Sequence, residues 1–163
     1  MAILGASPDH HRLRGMLTRT IVQNGYRGDL YFINPSHREI DGRPCHARIG
    51  DVPAPVDLAI IVVPAKDVIA ALEDCVKAGA RSALIMSSGF AEEGGAQSSE
   101  QARLVEIARA SGIRVSGPNA EGYHNAIDDI SATFSPASCK PWLQMAPHVR
   151  PMPEMWPWWR KTA

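Results

Sequence analysis

Short apolar runs that break off into loops of Gly, Ala, Ser, Asn and Pro recur along this chain. Ala2–Leu4 leads into Gly5-Ala6-Ser7, residues 30–33 into Asn34-Pro35, and residues 58–63 into Pro64-Ala65. Residues 83–86 lead into Ser87-Ser88-Gly89-Phe90-Ala91-Glu92, and residues 113–116 into Gly117-Pro118-Asn119. Between the runs lie stretches of helical period. Leu13, Met16, Leu17, Ile21 and Val22 share one face and stop at Asn24-Gly25; Val68, Ile69, Leu72 and Val76 stop at Gly79; residues 98–110 carry Leu104, Val105, Ile107 and Ala108 and stop at Gly112. Strands alternating with helices build a parallel sheet, and residues 58–63, apolar throughout, suit a strand covered on both faces. The expected fold is therefore α/β: a Rossmann-like three-layer domain with a five-stranded, mostly parallel sheet. The expected strand order runs 58–63, 30–33, 2–4, 83–86, 113–116, with the switch point between the first and fourth strands. Ligands bind beyond the carboxyl ends of such strands, so all five loops converge on one edge. The brevity of Ala2–Leu4 suggests that the natural start lies upstream.

Equal numbers of acidic and basic side chains, 17 of each in 163 residues, leave no basic field for nucleic acid. No apolar run approaches the ~20 residues of a membrane helix. Cys45, Cys75 and Cys139 lie far apart in a chain with no signal-peptide pattern, which points to a cytoplasmic setting. The balanced charge conceals a break after Pro136. All four tryptophans, five of 13 prolines and three of six methionines follow it, with four basic side chains against Glu154 alone. That tail is net +3 and the remainder −3. Prolines this dense exclude a regular helix and most strand pairing. Residues 1–136 are thus expected to form the domain, and 137–163 an irregular or disordered end of the kind a truncated or frame-shifted reading frame produces. A docking arm for a membrane or partner is the alternative for the tail.

Gly5-Ala6-Ser7 joins a strand to a helix whose free N–H groups would attract phosphate. It lacks the G-x-G-x-x-G pattern, and a glycine turn needed only for packing explains it equally well. The second strand is more discriminating. A NAD site needs an acid there for the ribose hydroxyls, whereas this strand ends Ile33-Asn34-Pro35. Nicotinamide redox chemistry is disfavoured. Arg12, Arg14 and Arg38 are available for further phosphates. His37 and Cys45-His46 match no zinc spacing, so no metal site is expected.

The run GAS with a basic residue and glycine downstream, INP followed by Gly42, VDLAIIVVPA, SSGFAE and GPN together resemble the coenzyme A-binding domain of the NDP-forming acyl-CoA synthetases. That group includes ADP-forming acetyl-CoA synthetase and the α subunit of succinyl-CoA synthetase. The resemblance spans about residues 2 to 136. It implies that Gly5, Ala6 and Ser7 meet the CoA diphosphate with Arg12 nearby, and that Asn34 and Pro35 lie beside the nucleotide. It further implies that Val63, Pro64 and Ala65 flank adenosine and pantetheine, and that Ser88, Gly89, Phe90, Glu92 and Asn119 stand near the thiol, with Gly117 and Pro118. Ser36 and Arg14 depart from the family pattern, which usually has lysine and glycine there. The family's phosphohistidine domain and ATP-grasp module have no counterpart in this sequence, so no catalytic residue is assigned and the chain alone is expected to be inactive. Its expected ligand is CoA or acyl-CoA, and its expected partner a separate ATP-grasp domain or subunit; a homo-oligomer is compatible with this. A free-standing regulatory CoA module and an α-like subunit that completes a synthetase are the alternatives.

Overall fold

The computed structural model describes residues 1–90, 96–125 and 130–135. The chain forms β1 (Ala2–Leu4), α1 (Leu13–Gln23), β2 (Tyr31–Ile33), β3 (Glu39–Ile40), β4 (Arg43–His46) and a short 3-10 helix (Ile49–Asp51). It continues through β5 (Leu58–Ile61), α2 (Ala65–Lys77), β6 (Ser82–Ile85), α3 (Ala96–Ser111), β7 (Arg114–Ser116), β8 (Gly122–Asn125) and β9 (Ile130–Thr133). All five strands and three helices expected from the sequence are present. Helices α1 and α2 end where the glycines lie: Gly25 and Gly79 take φ values of 71° and 73° just beyond them, a backbone that glycine adopts without steric cost.

The main sheet has seven strands in the order β3-β4-β2-β1-β5-β6-β7, parallel except for the β3–β4 hairpin. This corrects the expected strand order. Residues 58–61 do not lie outside the second strand but pair with β1 on one side and β6 on the other. The reason is solvation. Ala59, Ile60 and Ile61 are completely buried, which requires a neighbour on each side and a layer on each face. The place outside β2 falls to β4, where exposed Arg43 and Pro44 are tolerable. The switch point consequently lies between β1 and β5.

Two apolar clusters flank the sheet. On one face Leu4, Ile61, Ile85, Val68, Leu72, Phe90 and Leu104 pack under α2 and α3. On the other, Ile3, Phe32, Ile60 and Leu84 pack against Leu17 and Ile21 of α1 and against Ala132. Ala132 belongs to β9, which pairs antiparallel with β8 and packs on α1. This second hairpin completes a layer that α1 alone leaves partial. Residues 136–163, and with them the expected domain boundary and tail, lie outside the described residues.

Candidate functional site

At the switch point the sheet's hydrogen bonding continues past the strand ends and fixes the loops. Gly5 N–H donates to the Ile33 carbonyl (2.8 Å), Val62 N–H to Leu4 (2.9 Å) and Met86 N–H to Ile61 (3.0 Å). Side chains then tie loop to loop. The Asn34 amide nitrogen donates to the Ala6 carbonyl at 2.8 Å, while its oxygen accepts from Ser36 N–H at 2.9 Å. Ser87 Oγ donates to the Val63 carbonyl, and the Ser87 carbonyl accepts from Asn119 N–H at 2.9 Å.

These loops enclose an open cleft of about 500 Å³. Ser7, Asp9, Arg12, Leu13 and Arg14 form one wall, Val62, Val63, Pro64 and Ala65 the second, and Met86, Ser87 and Ser88 the third. The heads of α1 and α2 both reach it, through Leu13 and Ala65. The first turn of α1 contains no acidic residue, so no side chain within the helix offsets its positive dipole end. Charged lining groups are Asp9, Arg12 and Arg14, net +1. Arg12 Nε sits 3.2 Å from Asp9 Oδ2 with both side chains largely exposed, a pair that solvent screens to little net energy. Asp9 also accepts from His11 N–H at 3.1 Å, and its own N–H donates to Ser7 Oγ at 3.1 Å. The first wall is thus a small, internally bonded loop with cationic side chains at its rim.

Of the residues singled out from sequence, Ser7, Arg12, Val63, Pro64, Ala65 and Ser88 line the cleft. Gly5 and Ala6 lie beneath it, Ala6 fully buried. Asn34 braces the first loop from β2, beside the exposed Pro35. Gly89 follows with φ 93°, and Phe90 is completely buried in the α2–α3 core. Its side chain therefore packs rather than lines. Asn119, at φ 56°, reaches the site through its backbone bond to Ser87. Glu92 lies outside the described residues. Asp9 and Leu13 were not legible as lining residues: nothing in the linear pattern shows that the chain after Ser7 folds back to form a wall. The two described thiols, of Cys45 and Cys75, do not line the cleft. Cys75 is fully buried, and burial pushes its thiol up to about 12; Cys45 is also raised by burial, so neither is a ready nucleophile. Among the described residues no group of three His, Cys, Asp or Glu could hold a metal ion, and no helix is long and apolar enough to cross a membrane.

A cationic cleft between two helix N-termini, at the switch point of a parallel sheet, suits a phosphate-bearing ligand. Comparison with known proteins makes this specific: the family profile of a CoA binding domain matches residues 1–125. The chain belongs to the CoA-binding domain family. The ADP-forming acetate–CoA ligase I of Archaeoglobus fulgidus is 40% identical to this CoA-binding domain over 137 residues, 83% of the chain but 19% of that ligase. Subunit alpha of the ADP-forming acetate–CoA ligase I of Pyrococcus furiosus is 35% identical over 86% of the chain and 31% of that subunit. Among solved structures, the dinucleotide-forming acetyl-coenzyme A synthetase 1 of Candidatus Korarchaeum cryptofilum superposes with a TM-score of 0.78 at 39% identity, over 83% of this chain and 29% of that one. The chain spans about a fifth to a third of the length of these three relatives, and what it matches in them is their CoA-binding portion.

Proposed function

We propose that the cleft between β1 and β5 holds coenzyme A or an acyl-CoA, and that the domain presents the thiol to catalytic parts of an NDP-forming acyl-CoA synthetase carried on other domains or subunits. The observation that carries the reading is the switch-point cleft itself, with two helix heads and a net positive rim within a domain whose family is CoA-binding. The first wall would take the diphosphate through Ser7, the backbone around Gly5 and Ala6, and Arg12 and Arg14. Val63, Pro64 and Ala65 offer an apolar flank for adenosine and pantetheine, with Ser88, Gly89 and Asn119 at the far end. Asn34 acts by positioning: its amide holds the Ala6 carbonyl and so the turn above it. Pro35 and Phe90 would serve as backbone supports, and Glu92 as a polar group of the same loop. The ATP-grasp and phosphohistidine chemistry would come from partner domains or subunits in the cytoplasm.

Titration calorimetry with CoA, acetyl-CoA, NAD and ATP tests the reading. CoA is expected to bind and NAD not to, because β2 is followed by Asn34 where a nicotinamide-dinucleotide site needs a ribose-binding acid. NAD binding as tightly as CoA would overturn it. With acid, ATP and CoA supplied, the isolated chain is expected to form no thioester, since a bound thiol without an activated acyl donor has nothing to attack. Thioester formed by the purified chain would show that the activating chemistry is present after all.

A further inference from the structure

His10 belongs to the first wall's loop but does not line the cleft. Its ring joins three segments of the chain. Nδ1 lies 3.3 Å from the Gly15 carbonyl oxygen in α1, and Nε2 lies 3.2 Å from Oδ1 of Asp41 in the β3–β4 turn. Both partners are acceptors: a carbonyl carries no proton, and neither does a carboxylate at neutral pH. A neutral imidazole has one N–H and can satisfy only one of them. Imidazolium donates to both. We propose that His10 is held as imidazolium, and that this charged strut fixes the first loop in its ligand-binding shape.

The surroundings are built for such a strut. Gly15 has no Cβ, and one placed there would collide with the Asp9 carbonyl and stand 2.8 Å from His10 N; the loop therefore rests directly on the helix backbone. The ring closes it from the other side. Asp41 is set by a two-residue hairpin turn, with φ 51° at Asp41 and 75° at Gly42, the paired positive values that a tight Asp-Gly turn adopts. From Asp9, the loop's remaining bonds run outward to Ser7 Oγ, to His11 N–H and, through its carbonyl, to Arg12 N–H at 3.1 Å. A movement of His10 thus reaches Ser7, Asp9 and Arg12, which do line the cleft. Asp41 is the charged group facing the ring across the gap; Asp9 and His11 flank it in sequence, with Arg12 and Arg14 at the head of α1. The two side chains of the ion pair are 32% and 40% exposed, so the pair adds little to global stability. Its effect falls on loop position. His10 is a positioning residue: its ring ties the loop to α1 and to the β3–β4 turn.

The consequence for affinity rests on the CoA reading of the cleft; the protonation state does not. Nitrogen NMR of the full chain at about pH 7.5, roughly one unit above the ordinary imidazole value, is expected to show both His10 ring nitrogens protonated. A neutral-tautomer pattern overturns the proposal. CoA affinity is then measured from about pH 5.5 to 8.5 for wild type, His10→Gln and Asp41→Asn. Phosphate groups and other histidines titrate in the same window, so the difference between proteins is the quantity read. Wild type is expected to bind about five-fold more tightly than His10→Gln at the acid end, with the gap closing at the alkaline end and Asp41→Asn intermediate. All three should melt together. Parallel pH profiles for wild type and His10→Gln overturn the proposal. If wild type binds no CoA at any pH, the CoA reading fails, and the NMR result still decides the state of His10.

Discussion

Reversing both rim cations, Arg12→Glu together with Arg14→Glu, is expected to weaken CoA binding about 100-fold, or ~3 kcal/mol, by replacing two attractions to the diphosphate with two repulsions. Neither residue supports the fold. Arg12 is 83% exposed, and Arg14 forms no ion pair among the described residues. An acid at position 14, in the first turn of α1, is favourable to the helix dipole and offsets the repulsion that Arg12→Glu brings against Asp9 at the exposed rim, so the melting temperature should hold. Raising salt should narrow the gap between wild type and variant, because these groups are exposed and screened. Calorimetry at two ionic strengths with a thermal melt reads all three quantities. Equal affinities in the two proteins would remove the diphosphate from this wall of the cleft.

How much of this site was legible beforehand follows from which interactions are local in sequence. The strand-loop-helix alternation is local, and it correctly placed Ser7, Val63, Pro64, Ala65 and Ser88 on one edge of the sheet. Strand order is not local. The apolar run of β5 says that the strand is covered on both faces, but not which neighbours cover it. The missing information lay in residues 39–46, where the Asp41-Gly42 turn signals a hairpin that occupies the outer edge beside β2. That short edge displaces β5 to the centre and moves the switch point. The β8–β9 hairpin was missed for a related reason: Gly122 is followed by Tyr123 and His124, both exposed, so its apolar alternation is weak. Asp9 and His10 show the same limit in miniature. Their roles depend on a fold-back onto Gly15 and a 31-residue contact to Asp41, neither of which has a linear signature.

Gly5 is the position at which sequence and structure lead to different experiments. The sequence leaves its glycine two readings, a packing turn or space for a phosphate, and on the second Gly5→Val should abolish ligand binding and largely spare the fold. The structure gives the glycine a second duty. It sits at φ +90°, and a Cβ there would stand 2.9 Å from the Val62 carbonyl oxygen and 3.2 Å from Val63 Cγ1. The backbone of the neighbouring switch-point loop blocks the place, and β5 holds that loop rigidly because Val62 N–H is bonded to Leu4. A β-branched side chain must then adopt a disfavoured left-handed backbone and push a central strand end aside. Strain and overpacking together are expected to cost about 3–5 kcal/mol, a large share of the ~5–15 kcal/mol that holds a typical domain. Denaturant unfolding of Gly5→Val should show a midpoint far below wild type, with CoA binding lost along with the fold, and Gly5→Ala should fall between the two. The Arg12→Glu, Arg14→Glu variant should keep the wild-type midpoint while losing the ligand. A Gly5→Val protein with an unchanged midpoint and no affinity for CoA would return this glycine to the single role of admitting the phosphate.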